Sequence, residues 1–454
     1  MLERLFKLEK NKTNVSTEIL AGTTTFMTMA YILIVNPNIL SVTGMDWGAV
    51  FTATAISTVI STLMMAFYAK YPFAVAPGMG LNAFFAYTVG LVWGWQIALI
   101  AVFIEGILFI FMSFFKIREA IFEAIPKNLK LAVSAGIGLF IAFIGLVNGG
   151  LVVMNVPAAP VTIGDVSSLT VALMLMGTVI TIVLLSLKVR GALLFSILIT
   201  WIIGIILQLA GIYVVDYDSG MFSLIPEGIF SAPPSIAGNN ILSAFSHVQS
   251  ESFNIDLFTF VTIVFAFLFV DVFDTIGTVI GVSEKAGFAD KSGKLPRIKE
   301  VLMSDAVGTV VGAGLGTSTT TTYIESAAGV AEGGRTGLTA LTVAVLFGIA
   351  LFFSPIFAAI PVFATAPTLV IVGFLMMQNV VKIDFSDLTE GIPAFIAIIM
   401  MPLTYNIAEG IIFGVLSYVI LKLATGKHKD ISIMMYILAL LFVLRIISQA
   451  FFGY

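Results

Sequence analysis

Two acidic clusters lie inside otherwise apolar sequence: FLFVDVFDTIGT carries Asp271 and Asp274, and GTSTTTTYIESAAGV carries Glu325. A carboxylate at hydrocarbon depth costs about 2.5 to 3.5 kcal/mol on insertion scales, so such acids are functional by default. Asp271, Asp274 and Thr278 are spaced by three and four residues and share one face of a helix. With Phe269 and Phe273 adjacent, that face could stack an aromatic ring while its carboxylates accept the ring's N–H hydrogens. A flat heterocycle with several N–H donors fits this inventory better than an anion, which the acids would repel. Burial favours the neutral form of a carboxyl group, so the same side chains could also carry a proton.

Each acid has a structural alternative. Asp271 or Asp274 could tie helices together, Glu325 could cap its own half-helix, and Asn82 could cap another. Asp305 reads as structural or gating, and Glu105 as an interhelical hydrogen-bonding residue. Glu18 and Glu409 fall near the ends of apolar segments, where solvation is cheap.

The elements that must position these groups follow from composition. The chain has 454 residues, of which 59% are hydrophobic and 11% charged, with a mean hydropathy of +1.09. That apolar surface cannot be hidden in a soluble globule, so a polytopic, all-α membrane protein is expected. There is no cysteine, and His247 and His428 are the only histidines. Thiolate and histidine metal centres are therefore excluded, and no cofactor or nucleic-acid partner is expected. The first 18 residues mix charges and lack a signal-peptide core, so the N-terminus is expected to be retained.

Apolar windows mark spans near 17–36, 48–69, 93–115, 131–150, 168–187, 191–214, 255–282, 300–316, 336–359, 361–380 and 406–424. Shorter or broken ones at 72–90, 317–333 and 390–404 bring the count to fourteen. With a cytoplasmic N-terminus, 21 of the 22 basic residues fall on the cytoplasmic side and only Arg445 is unassigned. The opposite side carries Asp46, Asp165, Asp216, Asp218, Glu227, Glu251 and Asp256 without a Lys or Arg. The segment 431–450, which contains Arg445, could lie in the interface or add a fifteenth span.

Division into seven plus seven spans forces the halves into opposite orientations, which predicts an inverted repeat. The broken segments, third in each half, are the expected substrate site. In 72–90, YPFAVA reads as extended, with Pro77 and Gly78 opening a half-helix. In 317–333, TSTTTT resists helix before YIESAAGVA turns helical. Unwound backbone survives in a membrane only when buried in protein or lining a watery cavity.

The runs AGTTTFMTMAYILIVNP, VAPGMGLNAFFAYTVG, FLFVDVFDTIGTVIGV, SDAVGTVVGAGLGTSTTTTYIESAAGVAEGGRTGLTA and PAFIAIIMMPLTYNIAEGIIFGVLSY resemble the AzgA-like purine permeases of the nucleobase-ascorbate transporter superfamily over nearly the whole chain. The resemblance implies proton-coupled uptake of guanine, hypoxanthine or adenine by an elevator-like motion of a core domain against a gate domain. Such proteins are often dimeric, so a homodimer in the lipid bilayer of the cell membrane is an expectation. The core would comprise 1–126 and 254–360, and the gate 127–216 and 361–426; 217–253 would form an external loop and 427–454 an extra hydrophobic segment. By the same resemblance, Asp274 would hold the base, with Asp271 as a second required acid. Glu325 would contact the ring, Ile324 and Ser326 would lend backbone amides, Asn82 would supply a polar contact, and Asp305 would serve transport rather than binding. Asp271, Asp274 and Glu325 would exchange the coupling protons.

The uracil and xanthine branches carry a Glu followed by a His in the eighth span. Asp274 and Thr278 stand here instead, which favours purines. Three other readings fit the residues less well. An anion transporter would carry neutral or basic groups at the broken helices. An intramembrane aspartyl protease would place its aspartates on facing helices. A passive channel would not accumulate base against a gradient.

Overall fold

A computed structural model describes residues 2–114, 124–156, 159–216, 221–250, 255, 257–288 and 295–452. Lys116, Arg118, Asp218, Glu251, Asp256, Lys291 and Lys294, which the charge pattern used, lie outside the described residues, as do the side chains of Phe273 and Lys285.

The first half contains α1 (Val15–Met29), α2 (Ile32–Ser41), α3 (Trp47–Met64), β1 (Val75–Pro77), α4 (Met79–Ala83), α5 (Trp95–Phe114), α6 (Lys127–Asn148), a hairpin of β2 (Val152–Val156) and β3 (Ala159–Ile163), α7 (Leu169–Ser186) and α8 (Ala192–Leu209). The second half contains α9 (Ile241–Ser250), α10 (Leu257–Ala286), α11 (Ile298–Leu315), β4 (Thr320–Thr322), α12 (Ser326–Ala331), α13 (Gly337–Ala350), α14 (Val362–Met377), α15 (Leu388–Leu403), α16 (Ile407–Ala424) and α17 (Ile433–Phe452). Among the described residues, nine helices are long and apolar enough to cross a membrane, and shorter apolar helices accompany them. The chain is a multi-pass membrane protein, and each of the fourteen expected segments corresponds to a helix, a strand-plus-helix or, for the first, two helices broken at Tyr31.

The two broken segments meet. β1 pairs antiparallel with β4 in the register Val75↔Thr322, Ala76↔Thr321 and Pro77↔Thr320. Antiparallel pairing of the third segment of one half with that of the other is what an inverted repeat requires. Every residue of both strands is buried, so their backbone groups need protein partners. Threonines from neighbouring helices supply them. Thr62 of α3 accepts from the Val75 amide (3.1 Å) and donates to the Val75 carbonyl (3.0 Å). Thr309 of α11 treats Thr320 identically, at 3.2 Å each way.

The helices pack in two groups. α1, α3, α5, α11, α12 and α13 surround the strand pair, with α11 against α5 and α13 against α1 and α3. In the second group α6 packs on α14 and α15, and α15 on α16.

Several elements differ from expectation. Pro77 does not open the half-helix; it ends β1, and extended Gly78 precedes α4. Proline suits this position because an edge strand can spare its missing N–H. The 217–253 stretch, expected as a loop, contains α9, which packs on α5. Glu18 is fully buried rather than solvated. It accepts from the amides of Arg335 (2.9 Å), Thr336 (3.3 Å) and Thr339 (3.1 Å) and from the Thr339 hydroxyl (2.6 Å), satisfying the otherwise unpaired start of α13. Segment 431–450 is helical as α17 and packs on α16, where Arg445 pairs with Glu409 at 2.5 Å. That partner offsets the cost of a cation on an apolar helix.

Candidate functional site

α4 and α12 start at opposite ends of the crossed strands, and α10 runs beside both. Asp274 projects from α10 toward the β1–α4 junction, where its Oδ2 lies 3.2 Å from the point a Cβ on Gly78 would occupy. The same Cβ would meet Thr321 Cγ2 at 2.5 Å, so only glycine lets the strand and the carboxylate approach this closely. Asp274 is partly accessible, and among the described residues no hydrogen bond reaches its carboxylate. Asp271 and Glu325 both lie near enough to act on its charge.

Glu325 immediately precedes α12 and is partly accessible. Its Oε1 accepts a 2.6 Å hydrogen bond from the hydroxyl of Tyr31, at the break between α1 and α2. Tyr323 is held differently, its hydroxyl donating to the Pro77 carbonyl at 2.5 Å and its amide to Ala74 O at 2.9 Å. Tyr31 and Tyr323 thus wall the space between the two acids from opposite halves, each with its polar tip satisfied.

The other expected residues sort by depth. Asp271 is fully buried behind β4. Thr275 donates to its Oδ1 at 2.8 Å; having spent its single proton there, Thr275 accepts from Thr321 Oγ1 at 2.9 Å. The hydroxyl that completes the acidic face is therefore Thr275 rather than Thr278, which among the described residues makes no hydrogen bond to either aspartate. Asn82, buried in α4, accepts from the Ser318 hydroxyl just before β4, while its Nδ2 has no hydrogen-bond partner among the described residues. Asp305 faces the far side of β4, where both its oxygens accept from Thr322 Oγ1 (3.0 and 3.1 Å). Glu105 accepts from Thr319 Oγ1 at 3.1 Å, a bond between α5 and the broken segment.

The expected backbone donors are only partly available. Ser326 N–H already donates to Tyr323 O at 3.1 Å, and its hydroxyl accepts from Ala74 N at 3.0 Å, so Ser326 fastens the crossing. Ile324 has an exposed side chain facing away from the core. Tyr31, Thr275 and Thr321 are contributors that sequence reasoning did not single out, and Gly78, read there only as opening a half-helix, also gives the carboxylate its room. Only the position of Tyr31 in AYILIVNP, midway along a span, hinted at a buried hydroxyl.

A separate cavity of about 160 Å³ lies between α2, the end of α6 and α14, lined by Val35, Asn38, Ile39, Asn148, Thr365 and Leu369 among others. It contains no carboxylate. The chemistry is concentrated at the strand crossing, where partly accessible acids, aromatic walls and a close-approach glycine could hold a neutral ring and exchange protons with it.

The chain is similar to the adenine permease AdeP of Escherichia coli strain K12, with 42% identity covering 98% of this chain and 96% of that protein. It is also similar to the guanine/hypoxanthine permease PbuO of Bacillus subtilis strain 168, with 43% identity covering 97% and 99%. These relatives are permeases, not enzymes. Among solved structures, the transmembrane domain of the cyanobacterium bicarbonate transporter BicA has the same fold, with a TM-score of 0.64 at 15% identity covering 87% of this chain and 97% of that one. The sequence profile described as the Permease family matches residues 16–413, and the chain belongs to that family.

Proposed function

We propose that this permease imports purine nucleobases, guanine, hypoxanthine or adenine, together with protons across the cell membrane, with its N-terminus in the cytoplasm. The observation that carries the reading is Asp274: a partly accessible carboxylate to which no side chain or amide among the described residues donates, facing a glycine junction and electrostatically joined to Glu325. Two such acids suit a neutral base rich in N–H groups and disfavour an anion. The names of the relatives, which cover nearly the full length, agree with purines rather than uracil or xanthine.

Asp274 and Glu325 would accept the N–H groups of the base and take up the coupling proton, while Asp271 would fix β4 through Thr275 and Thr321. The proposed site draws on α1, α4, α10 and α12 and the strand pair. A site built around the strand pair can travel as a body past α6, α14 and α15, which is the elevator motion of a core (1–126, 254–360) along a gate (127–216, 361–426). The proposal extends to a homodimer.

The test is uptake of radiolabelled purines by proteoliposomes carrying the purified protein under an imposed pH gradient. Concentrative uptake abolished by a protonophore is expected. Purine flux that ignores the protonophore would overturn proton coupling, and absence of purine flux would overturn the substrate assignment.

A further inference from the structure

We infer that Tyr31 is a positioning residue for purine recognition, acting by holding Glu325; the inference rests on the purine reading of this site. Tyr31 is 1% exposed and belongs to the first half of the chain, whereas Glu325 lies 294 residues later. The bond between them therefore closes the pocket across the two repeats.

Three features of the geometry assign this role. Tyr31 stands between α1 (ending at Met29) and α2 (beginning at Ile32), so a local change in helix path carries its hydroxyl to the site. A phenol has one proton, and Tyr31 spends it on Glu325 Oε1 at 2.6 Å. That fixes the carboxylate plane and assigns one of its oxygens to the protein. The other oxygen is left as an acceptor whose direction Tyr31 sets, while Tyr323 is turned away by its bond to Pro77 O. A carboxylate oxygen held in one direction matches a ring edge that presents an N–H donor and mismatches the same edge when that nitrogen is methylated.

The phenol of Tyr31 would thus set the angle at which Glu325 meets the ring, without itself being consumed or moved in transport. A merely structural tyrosine would affect abundance and thermal stability, with no bearing on which edge of the base is read.

The experiment compares wild type with Tyr31→Phe, which keeps the buried ring and removes only the hydroxyl, in proteoliposomes supplied with radiolabelled purine. Competing purines carry either a free N–H or a methyl group at the same ring position. The expected result is a rise in KM of about tenfold with maximal rate retained, and loss of discrimination against the methylated competitor. Unchanged KM and unchanged discrimination would overturn the inference. Should Tyr31→Phe fail to insert, Tyr31→Met also removes the hydroxyl and is expected to lose the discrimination; keeping it in a well-inserted protein would count against the role. Purine binding by Glu325→Gln with and without Tyr31→Phe supplies a second reading. If Tyr31 acts through Glu325, the tyrosine change adds little in that background, and a full additive loss contradicts it. Wild-type uptake tests the purine reading separately, because its absence sinks that reading before any variant is compared.

Discussion

Thr62 and Thr309 perform the same task in opposite halves of the molecule: each uses one hydroxyl to satisfy both the amide and the carbonyl of the first residue of a buried strand. The strands they support cross at the point where the acids gather. Replacing either threonine by valine preserves shape but strands a buried amide and, at Thr309, the Thr320 carbonyl as well, since the Val75 carbonyl keeps a second donor in Ser61 Oγ at 3.3 Å. Each change is expected to cost about 1 to 3 kcal/mol, read as lower thermal stability in detergent, with the larger loss at Thr309. A large loss from one and none from the other would contradict the equivalence of the halves.

The register of the crossing is directly testable because the chain contains no cysteine. Ala76 and Thr321 are opposite each other, and facing residues of an antiparallel pair have Cα atoms about 4.5 to 5.5 Å apart, within disulfide range. Ala76→Cys with Thr321→Cys should cross-link under mild oxidation and shift on a gel after cleavage between the halves. Ala74→Cys with Thr321→Cys, outside that register, should not.

Much of this arrangement was legible in the sequence. The fourteen segments, the two interrupted ones and the acids Asp271, Asp274 and Glu325 follow from hydropathy, basic-residue placement and the cost of charge in hydrocarbon. What could not be read depends on contacts between remote residues. Tyr31 meets Glu325 only after the halves fold together, and Thr275 replaces Thr278 because Thr321 happens to face it. Helical spacing marks both threonines as neighbours of an aspartate and cannot choose between them. Glu18 looked like an inexpensive end-of-span acid because its partners, Arg335 to Thr339, begin 317 residues away. The β2–β3 hairpin escaped notice because strand pairing outside the membrane leaves no hydropathy signal.

Glu18 binds four donors at the start of α13, so Glu18→Ala leaves several of them unsatisfied in a buried place. A loss on the order of 3 kcal/mol is expected, seen as reduced thermal stability and abundance. The KM of the protein that does insert should be unchanged, since Glu18 does not touch the proposed site. A KM effect without a stability effect would contradict this role.

Asp387 gives a pH-dependent contribution outside the membrane. The ammonium of Lys427, 2.9 Å away, together with the hydroxyl and amide of Thr389, holds its carboxyl well below the usual carboxylate range. A depressed folded-state value means that the stabilisation is present above the unfolded value of about 4 and is lost as pH falls below it. The melting temperatures of wild type and Asp387→Asn should therefore differ at pH 7 and converge as pH falls below about 4. A difference constant with pH would contradict the assignment.

The account turns on Asp274 and Glu325 meeting one base at the strand crossing, and equilibrium binding of radiolabelled purine to purified protein tests this most directly. Asp274→Asn and Glu325→Gln, each confirmed to be folded by its melting curve, should both lose purine affinity by at least about tenfold, a loss of one charge-assisted hydrogen bond. Wild-type affinity in both variants would contradict the account.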